Sequence, residues 1–179
     1  MLISGNKEFG VAKSLHTLYP DAVFCSRTTG YDLCSYDGQY RFATESLNHN
    51  VIIICSALWK FHQTNLLDEV YKSCVKNDHN PHIITIGSTT DRIKSGKVWR
   101  YNAEKKALRD YSNSISLGGV WDKKPKLTYI SFGTLSNNQN KHPDRKCLDI
   151  DDAVSYIKWI IDQPKDICIN EISIDPKQF

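Results

Sequence analysis

The chain has 179 residues, 40% hydrophobic and 24% charged, enough for one domain, 1–179, that buries a core between a sheet and two layers of helices. A net charge of +3 is too small to draw in nucleic acid. No apolar run approaches the roughly 20 residues that span a bilayer, and Met1-Leu2-Ile3-Ser4-Gly5 begins without a basic leader. No membrane or nucleic-acid partner is expected, and the location is expected to be cytoplasmic.

Strand-like and helix-like stretches alternate along the chain. Residues 1–4 read as a short strand, and 9–18 as a helix through Val11, Leu15 and Leu18 that Pro20 stops. Residues 22–25 are a second strand, 30–33 a short extended piece and 40–47 a weak helix. The run 51–55 is apolar on both faces, as in a central parallel strand, and 65–76 is a helix with Leu66, Leu67, Val70, Tyr71 and Cys74 on its apolar side. Strands at 82–86, 127–132 and 167–174 then alternate with helices at 101–116 and 150–161, the last ended by Pro164. Consecutive β-α-β units predict an α/β fold, a doubly wound, Rossmann-like parallel sheet of about seven strands with helices on both faces.

The polar stretch 136–146 is expected to be the least ordered. Lys123, Lys124 and Lys126 read as a solvated turn. Six cysteines, Cys25, Cys34, Cys55, Cys74, Cys147 and Cys168, show neither metal nor disulfide spacing and read as buried free thiols, so no metal is expected. Gly5, Cys55, Ser56, Ser88 and Gly133 all follow strands, where open α/β sheets bind ligands, so one site is expected there.

Tyr101 and Lys105 are four residues apart at the start of a helix-like segment, so a phenol and an ammonium project from one face. A phenol with a pKa of about 10 is a poor acid or base at neutral pH, and a neighbouring cation favours its ionised form. Tyr-x-x-x-Lys is a loose pattern by itself. Ser88 closes the preceding strand thirteen residues earlier, which narrows it.

With Ile86-Gly87-Ser88, Tyr101-x-x-x-Lys105, Ala107 and Leu108 in this order and spacing, the chain resembles the short-chain dehydrogenase/reductase family over nearly its whole length. The resemblance implies Ser88, Tyr101 and Lys105 as catalytic residues, with Asn65 in Thr64-Asn65-Leu66-Leu67 as the fourth. Ser88 also fits a turn-capping hydroxyl, and Asn65 a helix N-cap. Ser4-Gly5-Asn6-Lys7-Glu8-Phe9-Gly10-Val11-Ala12 is similar to the family's glycine-rich turn, with one extra residue between Gly5 and Gly10 and Ala12 where a third glycine is common. There Gly5, Asn6, Phe9 and Gly10 would meet a pyrophosphate.

The second strand ends in Ser26-Arg27 with no acid before Asp32, and an arginine pairs with a 2′-phosphate where a carboxylate would repel it. NADP(H) is therefore expected over NAD(H), although Arg27 also fits a solvated surface position. The resemblance further implies Asp32 at the adenine, Cys55-Ser56-Ala57 at the nicotinamide ribose, where the family has an Asn-Asn-Ala-Gly run, and Gly133-Thr134 at the carboxamide.

The function so implied is hydride transfer between NADP(H) and a small carbonyl or alcohol. Tyr101 would be the acid/base, Ser88 would hold the substrate oxygen, Lys105 would lower the phenol pKa and bind ribose hydroxyls, and Asn65 would position a relay water. The chain is short for this family, the missing length falling after the second strand and after Gly133, where a helical lid is usual. Trp59, Phe61, His62, Trp99 and Trp121 are candidates for the pocket wall, or for core and interface packing. The shortened lid keeps two alternatives open, an NADP-binding sensor or subunit without chemistry, and an isomerase or dehydratase using the same tyrosine. A homodimer or homotetramer is implied, pairing the helices at 65–76 and 101–116.

Overall fold

Short, β-branched apolar runs build the centre of the molecule. The computed structural model describes residues 1–94, 98–121 and 124–178. Among them six strands form one parallel sheet: β1 (Leu2–Ser4), β2 (Val23–Cys25), β3 (Val51–Ile54), β4 (His82–Ser88), β5 (Lys126–Phe132) and β6 (Glu171–Ile174). The order is β2-β1-β3-β4-β5-β6, with Ile3 opposite Phe24 on one side and Ile53 on the other, and Ser88 opposite Phe132. The chain steps outward from β1 to β2, then crosses back to β3 on the far side of β1. A crevice opens at such a reversal, beyond the carboxyl ends of the strands.

Alternation along the strands sends side chains into two cores, as a pleated strand requires. On one face α2 (Tyr36–Ser46), α3 (His62–Lys76) and α4 (Arg100–Trp121) bring Phe42, Leu66, Leu67, Val70, Leu108 and Ile115 onto Leu2, Ile52, Ile54, Ile83 and Leu127. On the other, α1 (Gly10–Leu18) and α5 (Ile150–Ile161) bring Val11, Leu15, Val154, Ile157 and Ile160 onto Ile3, Ile53, Ile84 and Ile130. Each fully buried Ile or Leu contributes about 1.5–3 kcal/mol, which explains why such short strands hold.

The expected seventh strand, 30–33, is not one. Asp32 organises a turn there instead: its Oδ1 accepts from the Cys34 amide at 3.2 Å, and its carbonyl accepts from Ser35 N at 2.9 Å and Ser35 Oγ at 2.8 Å. The Ser35 hydroxyl then caps α2, which starts at Tyr36, earlier than its apolar spacing indicates. Residues 136–146 include a 3-10 helix, Ser136–Lys141. Lys126 opens β5 rather than lying in a turn, and Lys123 lies outside the described residues. All six cysteines are free, but only Cys25 and Cys74 are fully buried, while Cys34 and Cys168 are exposed. Among the described residues no helix is long and apolar enough to cross a membrane.

Candidate active site

The site is assembled around the end of β4. A Cβ at Gly87 would lie 1.8 Å from the Tyr129 hydroxyl oxygen, so only glycine lets the buried Tyr129 of β5 cross this point. Tyr129 Oη donates to Asp91 Oδ2 at 2.7 Å, anchoring the 3-10 turn Thr89–Arg92 that follows Ser88. Asn102, near the start of α4, donates through Nδ2 to the carbonyl of Thr90. The turn and the helix are thereby fixed to each other, and Tyr101 is held beside Ser88.

Ser88, Tyr101 and Lys105 all line one cleft of about 670 Å³. Lys105 Nζ stands 5.5 Å from the centroid of the Tyr101 ring. That ring also meets Trp59 at 5.2 Å and Trp99 at 6.1 Å. Lys105 is 4% exposed, and its Nζ donates to Gln63 Oε1 at 2.6 Å; Gln63 Nε2 in turn donates to the Ile86 carbonyl at 2.7 Å. One carboxamide thus ties the ammonium to the strand that carries Ser88.

Burial pushes the Tyr101 phenol above its ordinary value; hydrogen bonding to Ser88 opposes this and the Glu104 carboxylate reinforces it. Burial also lowers the Lys105 ammonium to about 8, against the pull of Glu104 and Asp91. The expected lowering of the phenol by Lys105 is therefore absent, because desolvation acts on both groups and Gln63, rather than the phenol oxygen, takes the ammonium's bond. Glu104 is itself buried, and its Oε1 accepts from Arg100 Nε at 2.8 Å.

Asn65 does not join this group. It lies on the exposed face of α3, one turn inside the helix, and Gln63 occupies the buried position facing Lys105. A sequence signal for Gln63 exists: it sits three, four and seven residues before Leu66, Leu67 and Val70, on the buried stripe of α3. Of the expected wall residues, Trp59 and Trp99 flank Tyr101, His62 turns toward Gln39, and Phe61 is an exposed N-cap residue at φ 62°. Trp121 is 87% exposed at the far end of α4.

The cleft continues past the amino end of α1. Gly5 has φ 149°, and a Cβ there would come within 2.9 Å of Ala12 Cβ and 3.1 Å of Cys55 Sγ. Gly10, at φ 53°, opens α1, whose N-cap residue Phe9 provides no side-chain hydrogen bond. The first amides of α1 therefore keep their donors for a ligand or solvent. Cys55 Sγ donates to the Ser4 carbonyl at 2.8 Å, and burial pushes its thiol up to about 12, which makes it an inert structural group. Asn6, Ser56, Ala57, Gly133 and Thr134 line the same cleft. A second cavity of about 440 Å³ is lined by Ser26, Arg27 and Asp32 and shares Gly5, Asn6, Ser56 and Leu58 with the first. The two form one elongated channel along the carboxyl edge of the sheet.

The segment 135–148 supplies a wall that the sequence does not announce. Leu135 bridges Leu148, and Asn137, Asn138, His142 and Arg145 face the cleft.

Solved structures share this arrangement of elements. Serine dehydrogenase from Escherichia coli superposes with a TM-score of 0.70 at 15% identity, covering 97% of this chain and 95% of its own. A short-chain dehydrogenase/reductase of the glucose/ribitol dehydrogenase type from Brucella melitensis gives 0.74 at 11%, covering 97% and 94%. A short-chain dehydrogenase from Burkholderia cenocepacia J2315, solved in complex with NADP, gives 0.73 at 12%, covering 97% and 86%. The fold is that of the short-chain dehydrogenases. No family model and no curated protein matches the sequence.

Proposed function

We propose that the protein is an NADP(H)-dependent oxidoreductase of the short-chain dehydrogenase/reductase family that reduces a carbonyl, or oxidises the corresponding alcohol. The single observation that carries this reading is the convergence of Ser88, Tyr101 and Lys105 in one cleft continuous with an uncapped helix N-terminus and with the Ser26–Arg27 cavity. Chains of the same fold are described in complex with NADP⁺ and with NADH, which supports a nicotinamide dinucleotide of either kind. Arg27, exposed at the end of β2, favours the phosphorylated form.

A dinucleotide fits the residues present. The α1 amides with Gly5, Asn6 and Gly10 would hold its diphosphate, Ser26 and Arg27 its 2′-phosphate, Asp32 the adenine side, and Lys105 with Cys55-Ser56-Ala57 the nicotinamide ribose. Gly133-Thr134 would meet the carboxamide. When bound, the reduced cofactor supplies the hydride.

Tyr101 would give its phenolic proton to the carbonyl oxygen as that oxygen gains negative charge, and would regain a proton from solvent. Because its pKa is raised, the phenol is protonated at neutral pH, the form that reduction requires. Ser88 donates to the same oxygen as charge develops on it. Trp59 and Trp99 pack against the Tyr101 ring and help to hold it in place.

The free thiols fit a reducing compartment, and we place the protein in the cytoplasm. Leu117, Val120 and Trp121, exposed on α4, leave apolar surface that a second copy would cover; a homodimer eluting as such from a sizing column supports this and a monomer refutes it.

The test is NADPH binding by fluorescence followed by NADPH consumption against aldehydes, ketones and quinones. Turnover should fall by about 10²–10⁴ in Tyr101→Phe while binding persists. Binding without turnover in the parent would favour a cofactor sensor, and failure to bind either dinucleotide would sink the oxidoreductase reading.

A further inference from the structure

The wall formed by segment 135–148 has a charge pattern that the redox chemistry does not explain. Among the described residues no carboxylate lines the main cleft, whereas Arg145 and Lys105 do, with His142 beside them. The nearby acids are set back and engaged elsewhere: Asp91 accepts from Tyr129 Oη, Glu104 from Arg100 Nε, and Asp175 from Thr89 Oγ1. Arg145 forms no ion pair among the described residues.

The backbone that carries the two groups is built for presentation. Gln139 Nε2 donates to the carbonyls of both His142, at 2.9 Å, and Arg145, at 2.8 Å. Gln178 exchanges two hydrogen bonds with the backbone of Lys146, and the parallel bridge between Leu135 and Leu148 closes the base. Two side chains thus hold the backbone that follows the 3-10 helix Ser136–Lys141, and Arg145, itself exposed, lines the cleft from this wall. A diphosphate at α1 would be served by that helix's own amides and by Asn137, whose Nδ2 lies 3.4 Å from where a Gly10 Cβ would stand.

We propose that Arg145, with His142, forms an anion subsite that reads a carboxylate on the substrate next to its reducible carbonyl, so that the preferred substrates are 2-oxo acids or the matching 2-hydroxy acids. This assignment rests on the oxidoreductase reading for its chemistry, but the subsite itself is a matter of binding. A guanidinium pairs with a carboxylate through two parallel hydrogen bonds and leaves a neutral group of the same shape unmatched. The cleft discriminates by charge as well as by shape.

The experiment compares 2-oxobutyrate with pentane-2,3-dione, which replaces the carboxylate by an acetyl group on the same skeleton. The parent should favour the oxo acid in kcat/KM. In Arg145→Ala the ratio of oxo acid to dione should fall about ten-fold or more, mainly through KM for the acid, with NADPH affinity within about two-fold of the parent and Arg145→Lys intermediate. An equal loss for both substrates, a parent that prefers the dione, or weakened NADPH binding in Arg145→Ala would overturn the proposal; the last would assign Arg145 to the cofactor's diphosphate. Calorimetric titration with 2-oxobutyrate, with and without NADPH, reads the subsite without turnover. Saturable binding abolished in Arg145→Ala supports the subsite even in a protein that proves inactive, and no binding at millimolar concentration refutes it. Failure to bind either NADPH or NADH refutes the oxidoreductase reading separately.

Discussion

Lys105 Nζ donates to Gln63 Oε1 at 2.6 Å, with both residues under 5% exposed. Removing the acceptor leaves a buried ammonium with no bond of its own, a loss of about 1–3 kcal/mol. Gln63→Leu is therefore expected to lower the unfolding free energy measured in urea by that amount and to move the Lys105 pKa below its present value of about 8. Gln63→Glu, which keeps the shape and adds a countercharge, should raise that pKa. Asn65→Ala, on the exposed face of the same helix, should change stability by no more than about 0.5 kcal/mol. Equal losses in Gln63→Leu and Asn65→Ala would contradict the assignment.

Arg27 lines the cavity at the end of β2 with Ser26 and Thr28, and no acid stands between it and Asp32. Arg27→Ala should weaken NADPH binding about ten-fold, the worth of one charge-assisted pair, and leave NADH within about two-fold. Fluorescence titration with the two cofactors checks this. Equal weakening of both would place Arg27 outside the phosphate subsite.

Gly87 passes so close to Tyr129 that an added methyl would overlap the phenol oxygen. Gly87→Ala should cost about 1–3 kcal/mol or more, since Tyr129 is wholly buried and has no free volume to enter. The same change displaces the Tyr129–Asp91 bond that anchors the turn after Ser88, so turnover should fall together with stability. Urea unfolding and NADPH consumption on one preparation test the linkage.

His82 is pushed down to about 4, chiefly by burial and further by the Lys126 ammonium, while its Nε2 hydrogen-bonds Thr128 Oγ1 at 2.9 Å. Between that value and the ordinary one near 6.5 the unfolded chain binds a proton that the folded chain refuses. The contribution of the neutral ring is thus complete above about pH 6.5 and is lost as pH falls toward 4. Partial exposure keeps it to at most about 3 kcal/mol. His82→Gln should flatten the difference in Tm between pH 7 and pH 5 relative to the parent; an unchanged slope would show that the ring titrates normally.

Much of the architecture was legible along the chain. The β-branched run ending at Ile54, the apolar faces of α3 and α5, and the alternation of elements specify a covered parallel sheet because side-chain periodicity and the right-handed crossover leave few other solutions. The thirteen-residue interval from Ser88 to Tyr101 and the four to Lys105 were also visible, since strand end, turn and first helical turn are local. The false strand at 30–33 failed for an equally local reason, because Asp32 and Ser35 satisfy backbone groups that a ladder would have used.

What distance in the sequence hides is which polar groups meet. Gln63 and Lys105 are brought together only when α3 and α4 pack on one face of the sheet, and that contact, with the burial it brings, decides the ammonium's pKa. Arg145 faces the cleft because Gln139 and Gln178 satisfy the carbonyls around it, an arrangement with no periodic signature. The sequence by itself determined the sheet, its two cores and the order of the candidate residues, all consequences of periodicity and local chemistry. Desolvation and pairing between remote side chains, which set the protonation of Tyr101 and Lys105 and the charge of the cleft, were decided only by the tertiary structure, because both depend on neighbours the chain meets only when folded.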